Sequence, residues 1–166
     1  MTSTLIAGPG GEPLTLAEAK AWCRLDTTDE DALLTALIAA ARLHVENLTG
    51  RALLEQSWRL TLSCPKGRLV ELPVIPVIAV TSAMADEDEI DVIVQGDSVL
   101  LPGDGYGALE IEYTAGYGAG ADAVPADLKQ ALLGLVAYWF ENRDAGTADA
   151  PVGIERLLAG YRRVRL

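Results

Sequence analysis

The chain has 166 residues, 50% of them hydrophobic and 22% charged, and a net charge of −11. That length sets one domain with a small subdomain as the expectation. The acidic balance argues against a protein that grips duplex DNA through a cationic face. No apolar run approaches the roughly 18 residues of a membrane span. The opening residues, MTSTLIAGPGGEP, lack a basic stretch followed by an apolar core, so they do not read as a secretory signal.

The first dozen residues are rich in Gly and Pro and read as an extended arm. Thr15 followed by Glu18 has the spacing of a capping box and predicts a short helix over residues 16–24, with Leu16, Ala19, Trp22 and Cys23 turned inward. Residues 26–29, Asp-Thr-Thr-Asp, read as a turn that also caps a second helix over 30–49. There Leu33, Leu34, Leu37, Ile38, Ala41, Val45 and Leu48 share one face, and Gly50 is the expected left-handed stop. The period then changes to two. Strands are expected at 56–63, 68–72, 77–84, 90–94, 98–101 and 108–114, separated by Pro and Gly turns.

A third helix is expected over 126–141, opened by Pro125. Leu128, Ala131, Leu132, Leu135 and Trp139 form its main stripe, while Leu133, Val136, Ala137 and Phe140 leave it apolar nearly all round. Such a helix must be covered on all sides. Leu133, Val136 and Phe140 are therefore candidate contacts with a neighbouring subunit. Residues 145–153 are small, with little to bury, and read as a linker. The last segment places Ile154, Leu157, Leu158 and Tyr161 on an apolar stripe, with Arg156, Arg162, Arg163 and Arg165 around it. It reads as a short amphipathic arm, mobile in the free protein, that docks on a partner by its stripe and its arginines.

Motifs for chemistry are sparse. Cys23 and Cys64 form no CxxC and read as reduced, buried thiols. Gly116, Gly118 and Ala121 match the spacing of a dinucleotide fingerprint. Asp122 and Pro125 intervene before the helix and no βαβ unit follows, so a hinge loop is the expected reading. The acidic run Asp86, Glu87, Asp88, Glu89 and Asp91 lacks the ligand spacing of a calcium loop and reads as an exposed hairpin tip. His44 has no nucleophile arranged around it, and Trp58, Tyr138 and Trp139 read as core or interface anchors. No catalytic residue, cofactor or metal is expected.

Taken together, the LTLAEAKAWCRLD start, DEDALLTALIAAARLHVENLTGRAL, the strand containing Trp58, LPVIPVIAV, EYTAGYG and VPADLKQALLGLVAYWFENRD resemble the head–tail connector, or adaptor, proteins of long-tailed bacteriophages and gene-transfer agents. The resemblance spans about residues 14–144. It implies a structural, non-enzymatic subunit of the particle's head–tail junction, assembled in the host cytoplasm. It further implies a ring, usually a dodecamer, below the portal protein. Such a ring bridges the portal to a head-closure (stopper) or tail-terminator protein and leaves a channel for DNA.

The expected fold class is α+β. A helical bundle carries a small antiparallel β insertion over about 56–114, giving a connector domain at 1–144 followed by a linker and C-terminal helical arm at 145–166. The alternatives are a DNA-contacting packaging factor and a small-molecule-binding α+β domain. Salt-dependent DNA binding would mark the first, and a polar pocket with converging titratable groups the second.

Overall fold

Leucine, tyrosine and other apolar side chains at alternate positions make two long strands, Gln56–Ser63 (β2) and Ala108–Ala115 (β8), which pair antiparallel along their whole length. A computed structural model describes residues 1–143 and 151–162. Outside these strands lie Thr2–Ala7 (β1), paired with β2, and Val77–Ala85 (β4), paired with β8. Asp88–Glu89 (β5) closes a hairpin on the end of β4, completing a five-stranded antiparallel sheet in the order β1-β2-β8-β4-β5. Leu69–Glu71 (β3), Ile93–Gln95 (β6) and Ser98–Leu100 (β7) make a three-stranded sheet in the order β3-β7-β6.

These strands belong to one compact unit, formed by Met1–Gly10 and Leu54–Ala119. Leu60, Leu109, Ile111 and Tyr113 are buried in it, as are Val99 and Leu101 of the smaller sheet region. The Tyr113 hydroxyl accepts the backbone N–H of Val74 at 3.2 Å, so its one polar atom is satisfied. The opening residues are thus a sheet strand and not a free arm. Their local composition shows Gly and Pro, but the β2 partner lies about fifty residues away and local period does not reveal it.

The second unit comprises Gly11–Leu53 and the described residues from Gly120 on. Its helices are Leu16–Cys23 (α1), Asp31–Thr49 (α2), Ala126–Glu141 (α3) and Val152–Ala159 (α4). The capping box forms as its spacing requires: Thr15 Oγ1 accepts the Glu18 N–H at 3.1 Å, and the Glu18 carboxylate accepts the Thr15 N–H at 2.7 Å. Gly50 ends α2 in the left-handed conformation, φ 71°. The N-cap of α2 is Glu30, with no side-chain cap; the Asp26–Asp29 turn does not supply one. Lys20 instead reaches Asp31 in the first turn of α2 at 2.7 Å. Leu34, Ile38, Ala41 and Val45 of α2 meet Leu128, Ala131, Leu132 and Leu135 of α3 in the bundle core.

Two expected burials are reversed. Trp22 is 49% exposed, because the short α1 turns Ala19 inward and leaves Trp22 on its outer side. Cys64 is exposed, standing just past β2 at φ 49°, while Cys23 is half-buried.

Candidate interaction surfaces

The apolar surplus of α3 is met partly from within the chain. Gly134 lacks a side chain where α4 crosses, and a Cβ there would lie 3.1 Å from Ile154 Cδ1. Ile154 occupies that seat, and Leu158, one turn on, is fully buried. Tyr161 fastens the end of the segment. Its hydroxyl donates to the Asp127 carboxylate at 2.8 Å, and its carbonyl accepts Arg51 Nε at 3.0 Å. The Arg51 guanidinium also lies 5.5 Å from the centre of the Tyr161 ring.

These positions correct the reading of the C-terminal segment. Ile154, Leu158 and Tyr161 hold α4 to its own bundle and do not wait for a partner. Val152 and Gly153, assigned to a linker, already belong to the helix. The spacing of the stripe is right, but the sequence does not say that α3 carries a glycine opposite it. Arg156, Leu157 and Arg162 remain exposed, Leu157 by 38%. Arg163 and Arg165 lie outside the described residues, as does most of the expected linker.

Along α3 the three candidate subunit contacts divide. Val136 is fully buried in its own unit, which removes it from an outer surface. Leu133 and Phe140 stay half-buried, with the Arg143 guanidinium 4.8 Å from the Phe140 ring centre. Trp139 meets His44 edge to face at 5.6 Å, so that histidine is a packing partner.

Ion pairs fasten α1 to α3, brace α2 along its length and hold the segment before α1. Lys129 binds Glu18 at 2.8 Å, and this hydrogen bond, with those from Thr15, lowers the Glu18 carboxyl from an ordinary 4.5 to about 2. Arg42 holds Glu12 at 2.8 Å and Glu46 at 2.9 Å. Burial alone pulls the Arg42 pKa down, but the two carboxylates outweigh it and the net shift is upward. Burial, reinforced by Glu141, raises the Cys23 thiol above its ordinary value.

In the β unit, Asp86, Glu87, Asp88, Glu89 and Asp91 are all exposed. Asp86 and Glu87 both have positive φ, 51° and 75°, as a tight two-residue hairpin turn requires. Asp86 does more than carry charge: its carboxylate accepts the N–H of Ala108 at 2.7 Å and of Gly107 at 3.1 Å. Among the described residues, no group of three or more His, Cys, Asp or Glu side chains is placed to hold a metal ion.

Two glycines of the loop make backbone contacts within the β unit. Gly116 N–H donates to Pro76 O at 2.8 Å, and Gly118 O accepts Glu55 N–H at 2.9 Å. At Gly116, φ is +140° and a Cβ would stand 2.4 Å from Leu54 O. Glycine is there because two backbones touch. A short 3₁₀ turn, Ala121–Ala123, and Pro125 separate the glycines from α3, so the helix amides do not open onto the loop.

The family model described as head completion protein matches residues 12–153. Three solved structures are similar over the whole of this chain and 97% of theirs. One is a chain from the virion of a native gene transfer agent particle, 30% identical with a TM-score of 0.84. The others come from the neck of an empty gene transfer agent particle, computed with sixfold symmetry, and the neck of a native one, computed with twelvefold symmetry. Each of these is 29% identical, with a TM-score of 0.82. No curated protein sequence matches the chain.

Proposed function

Because the chain belongs to the head completion protein family, we propose that it is a structural ring subunit of a phage-like particle's neck, seated below the portal and joined beyond it to a head-closure or tail-terminator protein. The observation that carries this reading is the likeness, over the full chain at 30% identity, to a protein of a gene transfer agent virion. The twelvefold symmetry of a similar neck supports twelve copies as the ring size.

The residues suit the role. Leu133 and Phe140 are the part of α3 left for a neighbouring copy. Arg156, Leu157 and Arg162 form an exposed cationic face on a helix fixed to its bundle, suited to an acidic portal surface. A chain of net charge −11 with an acidic hairpin tip repels phosphate, so DNA can pass the ring without being held. The role calls for surfaces and rigidity, and for no reaction.

The test is native mass measurement of the purified protein, alone and with the portal of its own particle. A ring on the portal is expected. A protein that stays monomeric and fails to bind the portal overturns the reading. DNA binding that weakens steeply with salt points to a packaging factor instead.

A further inference from the structure

The main sheet ends in β1 on one side; on the other the two-residue β5 covers only the end of β4 and leaves the rest of β4 as an edge. β1 lies in the run Met1–Gly11 and β4 in the run Leu72–Ala85, and neither run contains a charged side chain, although 22% of the chain's residues are charged. Among the described residues, β1 pairs only with β2. β4 pairs with β8 on one side, while β5 covers only Met84 and Ala85 on the other. The Val77 N–H is taken by Asp97 at 3.3 Å, which leaves residues 78–82 as the open stretch. Exposed apolar side chains stand at both places: Leu5 at 47% and Ile6 at 49%, Ile78 at 46% and Val94 at 42%. An open groove of about 220 Å³ lies along the β4 edge, with Val80, Val92 and Val94 on its wall and the Glu89 and Asp91 carboxylates at its end.

Natural sheets guard exposed edges with lysine or proline, because an open edge pairs with another chain. Residues 2–7 and 78–82 carry neither. Their directions also match. β1, β2, β8 and β4 alternate in sense, so β1 and β4 run oppositely. The small rotation between neighbours in a many-membered ring preserves strand direction. The β1 of one copy therefore meets the β4 of the next as an antiparallel pair, in continuation of the existing ladder. Two copies of one edge meeting each other would instead close a dimer. Copies that share a charge of −11 repel, and the strand segments themselves, residues 2–7 and 78–82, add no charged side chain to that repulsion.

We propose that β1 (Thr2–Ala7) of each copy adds to the open edge of β4, residues 78–82, in the adjacent copy, so that the sheets join into one belt around the ring. This rests on the ring reading above. The occupant of each edge is a second copy of this chain, with Leu5 or Ile6 entering the groove beside Val80 and Val94.

Cysteine cross-linking in necks isolated from assembled particles tests it. The background carries Cys23→Ser and Cys64→Ser. Thr4→Cys is combined in turn with Ile78→Cys, Ala79→Cys, Val80→Cys, Thr81→Cys and Ser82→Cys, which covers each register that sets Thr4 opposite the open stretch. Cross-strand neighbours stand within disulfide reach, with Cα atoms about 4.5–5.5 Å apart. At least one pair should give a ladder of covalent multimers after oxidation, holding most of the chains. Multimeric necks with no ladder from any pair overturn the strand addition and leave the ring reading standing. Covalent dimers from Thr4→Cys alone also overturn it, since they show β1 meeting β1. Particles whose necks contain only single copies of the unsubstituted protein overturn both.

Discussion

The helical unit and the β unit handle apolar surface in opposite ways. The helical unit covers its own: α4 lays Ile154 and Leu158 on the face that α3 has to spare, and Arg42, Lys20 and Lys129 lock the helices at their polar margins. The β unit keeps apolar and uncharged edges in the open at Leu5, Ile6 and Ile78, and uses close backbone contact to stay rigid. The contrast teaches that an apolar excess in a sequence does not name the partner that covers it. The helix that looked most in need of a neighbour finds much of its cover at home. The strands that alternate unremarkably carry the open edges.

The largest effect expected is at the backbone crossing in the β unit. Gly116→Ala sets a Cβ 2.4 Å from Leu54 O at a φ unsuited to alanine, so stability should fall by roughly 3 kcal/mol. Thermal unfolding measures it, and an unchanged midpoint would show that the loop yields and that rigidity there is not intrinsic.

The next test separates the two faces of α4. Leu158→Ala opens a cavity in a fully buried site and should cost about 2–4 kcal/mol. Leu157→Ala, one residue away, should stay within about 0.5 kcal/mol of the parent and weaken portal association instead. Equal destabilisation by both would break the division between an anchored and an outward face.

Proton linkage at Glu18 gives a smaller effect. Its folded pKa is depressed, from 4.5 to about 2, so the stability it contributes is present above the ordinary value and lost as pH falls through that window. The carboxylate is 40% exposed, and with solvent screening the contribution stays below about 1 kcal/mol. Glu18→Gln should flatten the acid limb of a stability–pH curve between 4.5 and 2. An unaltered limb would remove Glu18 from the lateral ties.

The smallest perturbation is chemical labelling. Cys64 is exposed, whereas Cys23 is half-buried with its thiol raised by burial and by Glu141. A thiol reagent at neutral pH should modify Cys64 first, followed by a slower phase for Cys23. One fast phase for both would mean that the helical unit opens readily around α1.

Much of this architecture is written locally. Pro125 and the apolar run after it fix α3 at Ala126–Glu141, the Thr15–Glu18 spacing fixes the start of α1, and two-residue alternation fixes β2 at Gln56–Ser63. Pairings between distant segments are not. Nothing near Thr2–Ala7 indicates β2, and nothing in residues 154–158 indicates the vacancy above Gly134. The candidate surfaces were legible to the same degree. The acidic tip is visible as a charge run, but the use of Asp86 to hold the Gly107 and Ala108 amides depends on two strands meeting.

The chain passes between its two units after Gly10, after Leu53 and after Ala119, so each unit is assembled from two separate stretches. On a ribosome, where synthesis runs from the N-terminus, the β unit has all its residues once Ala119 has emerged. The helical unit must still wait for α3 and α4. During that interval the apolar face of α2 is without its main partner, and the β1–β2 ladder has to offset the entropy cost of closing residues 8–55. The order of synthesis therefore favours a strand-rich intermediate whose uncharged edges appear before the bundle closes. Open strand edges exposed at that stage are where pairing between nascent copies would begin.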